Sequence, residues 1–149
     1  MVLESQLDIP YGRSPRIAAM DIRDALKAKD IDTMITHFNR LIASIPGNLH
    51  TGKESYYHSL IHMILQTSGL TIRSEEWIAG GRIDTVIEEP DTFYSIEFKF
   101  NQPAHAAIDQ IRQKNYAQKY QHTGKEVIAL GISVDCETKA IADYLLKAV

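Results

Sequence analysis

The chain lacks the means to cross-link itself, to enter a membrane or to coat a polyanion. Its 149 residues include one cysteine, Cys136, so no internal disulfide can form, which fits a reducing compartment. No apolar run approaches the roughly 20 residues needed to span a bilayer. The opening MVLESQLDIPYG has neither the charged nor the apolar region of a secretory signal. Both absences predict a cytoplasmic protein with no membrane association. Positive charge is also short. Sixteen Lys and Arg against 19 Asp and Glu give a net charge of −3. That balance counts against avid nonspecific nucleic-acid binding, since phosphate neutralisation supplies most of such affinity. No phosphate-cradling glycine loop, internal repeat or low-complexity tract occurs. What remains is a 44% hydrophobic chain, ordinary for a globular protein and long enough for one domain with a sizeable core.

The most informative stretch is 81–100, GRIDTVIEEPDTFYSIEFKF. Pro90-Asp91 suits the two central positions of a type I turn, because proline presets φ for the first and aspartate tolerates the second. A hairpin centred there pairs residues whose numbers sum to 181, so Asp84 faces Glu97 and Arg82 faces Lys99. Alternation then sets Arg82, Asp84, Ser95, Glu97 and Lys99 on one face. Ile83, Thr85, Ile87, Tyr94, Ile96, Phe98 and Phe100 take the other, which is the predicted core face.

Like charges directly opposed across a sheet destabilise it. Two carboxylates about 5 Å apart repel by roughly 3 kcal/mol at an effective dielectric near 20. A divalent cation turns that repulsion into coordination, and hard oxygen ligands suit Mg2+ or Mn2+. An amphipathic hairpin with hydrated outer charges, Lys99 pairing with Glu97 or Asp84, fits the same geometry. An odd-length loop would instead turn Glu97 away from Asp84.

Asp84, a turn and then Glu97-Phe98-Lys99 resemble the D…(D/E)-x-K signature of the PD-(D/E)XK nuclease superfamily. The preceding helix with Glu54, the Gly81-Arg82-Ile83-Asp84 run and a following helix with Gln110-Ile111 extend the resemblance over roughly 52–132. It is nearest to the nuclease domain at the C-terminal end of bacterial proteins that begin with an ATPase-like module. The proline that names the motif is absent beside Asp84, where Ile83 stands. The resemblance implies a metal-dependent phosphodiesterase. Asp84, Glu97 and the Phe98 main-chain carbonyl would hold Mg2+ or Mn2+, with Glu54 as a further ligand. Lys99 would orient the attacking water or stabilise charge at phosphorus, and Gln110 would line the site.

Glu54 also completes a Thr51-x-x-Glu54 capping box, so its carboxylate has a structural use as well. His58 and His62 stand four apart, a spacing that lets two imidazoles share a metal. Ser59, however, occupies the position where a zinc-protease helix needs glutamate. Gly80-Gly81 permits close backbone approach beside Asp84. Arg112, Lys114, Lys119 and Lys125, interleaved with Tyr116 and Tyr120, are candidates for phosphate contact and base stacking. Arg82 and Tyr116 are the candidate substrate-binding residues.

Along the chain, apolar spacing predicts a helix over 15–29 with Ile17, Met20, Ile22 and Leu26. A second is capped by Asp32 and runs to Ser44. A third spans 51–68, a strand 70–77, a helix 103–121, a buried strand 126–133 and a final edge element 139–147. This order predicts an α/β fold, a restriction-endonuclease-like mixed sheet flanked by helices. Residues 1–49 form an N-terminal extension and helical hairpin, and 50–149 the nuclease-like domain. The hairpin suits packing on that domain or on a partner, a second copy or an ATPase-like protein. The expected function is hydrolysis of DNA, with RNA the second choice. A catalytically idle binding module of the same fold is the alternative.

Overall fold

A computed structural model describes residues 15–45, 53–78, 81–115 and 117–149, leaving aside the side chains of 15, 74–78, 81–84, 117, 119 and 121. A five-stranded sheet runs in the order β1 (Thr71–Ile78), β2 (Gly81–Glu88), β3 (Thr92–Phe100), β4 (Glu126–Asp135), β5 (Ala140–Ala148). β3 and β4 are parallel and the other neighbours antiparallel, so the sheet is mixed and the fold α/β. Only the parallel pair needs a crossover, and α4 (Ala104–Gln113) supplies it.

The β2–β3 hairpin has the register expected from Pro90-Asp91. Thr85 pairs with Ile96, Val86 with Ser95, Ile87 with Tyr94 and Glu88 with Phe93. Glu89 and Thr92 close the turn by exchanging backbone hydrogen bonds of 2.8 and 3.4 Å. Both sheet faces are covered, as expected of a sheet flanked by helices, which removes the alternative of hydrated outer charges on the hairpin. One face carries Ile87, Tyr94, Ile96 and Phe98 against α1 (Pro15–Lys27), α2 (Ile31–Ala43) and α3 (Glu54–Thr67). The other packs Val86, Phe93, Val127 and Ala129 against Ile108 and Ile111 of α4. The crossover must lie over one face to bring β4 parallel to β3, and it lies over the face of Glu97.

The helical stripes follow the apolar spacing with instructive exceptions. Ala104, Ala107, Ile108 and Ile111 are buried as predicted. In α1, Ile22 and Leu26 are buried, whereas Ile17 and Met20 are 43% and 39% exposed, and Ala19 and Ala25 take the inward positions. That helix stops at Lys27 because Lys29 adopts φ 59°, its N–H reaching the Leu26 carbonyl at 2.9 Å. Asp30, not Asp32, caps α2: its carboxylate accepts from the Thr33 N–H at 3.2 Å and the Thr33 hydroxyl at 2.6 Å. The helix predicted over 103–121 breaks after Gln113. Asn115 has φ 51°, and a short α5 (Ala117–Tyr120) follows. The Thr51 half of the expected capping box lies outside the described residues; α3 begins at Glu54 with no side-chain cap from Lys53. Among the described residues, no helix is long and apolar enough to cross a membrane.

Gly131 of β4 stands beside Glu97 in the register and under α4. A Cβ there would lie 2.6 Å from the Ala104 carbonyl oxygen and 3.0 Å from the Ala107 Cβ. Gly131→Ala therefore forces helix and sheet apart and should cost about 1–3 kcal/mol, as overpacking does. A melting temperature equal to that of wild type would refute this close approach. The cap makes a second prediction: Asp30→Ala lowers the melting temperature, and Asp32→Ala leaves it nearly unchanged. The Thr33 hydrogen bonds hold the Asp30 carboxyl below its ordinary range. The cap's contribution is thus complete above the unfolded-state aspartate pKa and fades as pH falls through the lowered folded value. Melting curves of the two variants between pH 7 and pH 3 test both position and sign.

Candidate metal and phosphodiester site

The β2–β3 pairs from Glu88–Phe93 to Thr85–Ile96 follow the register read from the turn, and one further step of that register would set Asp84 opposite Glu97. Glu89–Thr92 exchanges both its hydrogen bonds, so the two-residue alternation of an antiparallel ladder makes Ile96 a bonded position and Phe98 the next. The Phe98 carbonyl is thereby aimed toward β2. The side chains of Asp84 and Arg82, and all of Tyr116 and Gly80, lie outside the described residues.

Glu97 is 3% exposed on the central strand. Its Oε1 accepts from the Lys114 ammonium at 3.1 Å, with the two side chains 4% and 15% exposed. Lys114 also lines a cleft of about 500 Å³ together with Lys99, Ala106, Asp109, Gln110 and Gln113. The Gln110 Oε1 is buried with no hydrogen-bond partner among the described residues, so an acceptor beside this cleft is left for a donor or a cation. Lys99 forms no ion pair among the described residues. Lys99 and Gln110 are thus brought together at one opening, with Glu97 behind Lys114. Sequence reasoning placed Lys114 among phosphate-contacting residues and missed its tie to Glu97. The signal was its position four residues after Gln110 and seven after Ala107, which continues the inward stripe of α4.

Glu54 is exposed at the first position of α3, on the opposite sheet face, and lines no part of this cleft. It stands close to Cys136: burial first, then the charges of Glu54 and Asp135, raise that thiol's pKa. His58 and His62 are partly buried, and the His58 ring meets Phe98 edge-on at 5.3 Å. Burial, and next His58, lower the pKa of His62. Among the described residues, no three His, Cys, Asp or Glu side chains cluster, and Mg2+ needs only one or two carboxylates completed by water. Tyr120 is not a base-stacking platform: it is 4% exposed, its ring 4.1 Å from that of Phe93. Lys125 is bound to Glu88 at 2.9 Å and lies over the Phe93 ring. Both residues fall on the second core face created by the crossover.

The candidate ligands named so far are oxygens, namely the Glu97 carboxylate, the Phe98 main-chain carbonyl and the Gln110 side-chain carbonyl. Glu97 already accepts a cationic partner. That set fits a hard divalent ion. The fold and this arrangement define a nuclease-type α/β domain. The chain belongs to the PD-(D/E)XK nuclease superfamily, whose family model matches residues 52–144. It is also similar to an uncharacterized protein in the vnfD 5' region of Azotobacter chroococcum mcd 1, at 29% identity over 133 residues. That similarity covers 85% of this chain and 26% of the relative, so the chain spans about a quarter of the relative's length.

A buried pair is costly to break and cheap to replace whole. Lys114→Met should therefore destabilise the protein by about 3 kcal/mol, by leaving the Glu97 carboxylate without this cation. The double variant Glu97→Leu with Lys114→Met should recover most of the loss. Denaturant melts of the wild type, both single variants and the double variant give the coupling directly; additive losses would exclude it.

Proposed function

We propose that the protein is a Mg2+- or Mn2+-dependent nuclease that hydrolyses phosphodiester bonds, with DNA as the preferred substrate. The observation that carries this reading is a buried acid, Glu97, reached through Lys114 from a cleft that also presents Lys99 and Gln110. Asp84, Glu97 and the Phe98 carbonyl would hold the ion. Val86, two positions along β2 from Asp84, packs in the same apolar cluster as α4, in keeping with Asp84 as a partner of Glu97. When bound, the ion supplies an acidified water and offsets phosphate charge.

The protein's own groups do the rest. The Lys99 ammonium adds positive charge where the phosphoryl group becomes more negative and orients the attacking water. Gln110 offers its amide to the substrate or to that water. Glu54 is proposed at most as an outer acid steering a second ion, since its position on α3 is remote from this cleft's lining. Arg82 and Tyr116 are proposed as substrate contacts. The N-terminal helices, with Ile17 and Met20 outward, are the surface proposed for a second copy or an ATPase-like partner.

Melting with and without millimolar Mg2+ or Mn2+ tests the ion. The wild type should be stabilised, and Asp84→Ala should lose that gain, because a ligand bound only by the folded state raises its stability. Cleavage of plasmid, linear DNA and RNA by wild type and Lys99→Ala tests the chemistry. The lysine variant should lose at least about 100-fold in rate, the scale of removing one group that stabilises transition-state charge. Stabilisation by metal without cleavage of any substrate would favour the idle binding module.

A further inference from the structure

Lys114 occupies an unusual place for a structural ion pair. Its stem rises from the end of α4, where helical hydrogen bonding runs out: Lys114 is the C-cap residue, its N–H still reaching the Gln110 carbonyl at 3.1 Å, and the next residue, Asn115, is left-handed. Its ammonium binds Glu97 Oε1 at 3.1 Å, yet the same side chain forms part of the cleft wall. Glu97 itself does not line the cleft. Lys114 therefore links the buried acid to the cleft. Two cations held by one carboxylate repel each other and share its charge, so a divalent ion arriving at Glu97 competes with the Lys114 ammonium for it.

Resting on the metal reading above, we propose that Lys114 is an exchangeable counter-ion. It neutralises the buried Glu97 carboxylate in the metal-free protein, and an arriving divalent ion displaces its ammonium into the cleft. The device solves a stability problem, because a carboxylate 3% exposed on the central strand would be strongly penalised without a cation. It also couples two events. Metal arrival at Glu97 releases a second positive charge beside Lys99, where a phosphodiester must sit. A lysine suits this task better than an arginine, being a point charge on a flexible stem and not a rigid bidentate fork. Lys114 is a positioning and charge-supplying residue in this account, and Glu97 its switchable partner.

Residue-resolved amine labelling of the wild-type protein tests the exchange directly. Short exposure to an amine-acetylating reagent, followed by peptide mass spectrometry, compares Lys114 with and without saturating Mg2+ or Mn2+. Lys125, held by Glu88 at 2.9 Å, serves as an internal control. Lys114 should be protected without metal and label on the order of tenfold faster with it, matching loss of a charge-assisted hydrogen bond. Lys125 labelling should not change. Lys114→Arg, which keeps the charge but grips Glu97 with a fork, should bind Mn2+ more weakly than wild type by calorimetry. Metal-induced stabilisation with unchanged Lys114 labelling would overturn the exchange and leave the metal site standing. Absence of any metal-induced stabilisation would overturn the metal reading itself, and the exchange with it.

Discussion

A carboxylate buried in the middle of a sheet must be given a cation, and much of this molecule is arranged around that requirement. Glu97 lies on β3, the central strand, under a crossover helix. The helix supplies its partner from its last turn, where the chain turns away at Asn115 and a lysine stem can bend back. The approach that makes this possible depends on Gly131, the residue beside Glu97 on β4, where any side chain would meet the Ala104 carbonyl. A glycine on one strand thus fixes how closely the helix approaches, and the helix fixes where the counter-charge falls. Structure and candidate chemistry here rest on one packing constraint.

Local signals in the sequence were sufficient for the hairpin and for most of the core. Pro90-Asp91 determined the turn, the turn determined the register, and the register brought Thr85 to Ile96. The stripe Ala104, Ala107, Ile108, Ile111 was equally legible, because helical spacing and small residues under a sheet point the same way. What stayed hidden depended on tertiary placement. Asp30 and Asp32 are both plausible caps by composition, and only the end of α1 at Lys27 determines which one begins the next helix. Ile17 and Met20 belong to the apolar spacing of α1 yet lie outward, while alanines 19 and 25 are buried. The cover over the face of Glu97 stayed hidden because alternation tells which residues share a side, not which element will cover it. Tyr120 and Lys125 were misread for the same reason: both follow the crossover onto a face whose burial is a property of the whole chain.

Charge bookkeeping over the surface narrows how such a protein would grip a polyanion. Several of its cations are engaged: Lys27 with Glu89 at 3.4 Å, Lys29 with Asp91 at 3.5 Å, Arg73 and Lys125 with Glu88 at 3.5 and 2.9 Å. With a net charge of −3, little long-range attraction is left to gather nucleic acid. Substrate affinity in the proposed nuclease must then come from the cleft itself, from Lys99 and from whatever cation sits at Glu97. An enzyme organised this way engages phosphate well only when its ion is present, because the ion supplies the missing charge. Binding and catalysis would share one switch, and the acidic balance that first argued against a nucleic-acid partner becomes the reason for it.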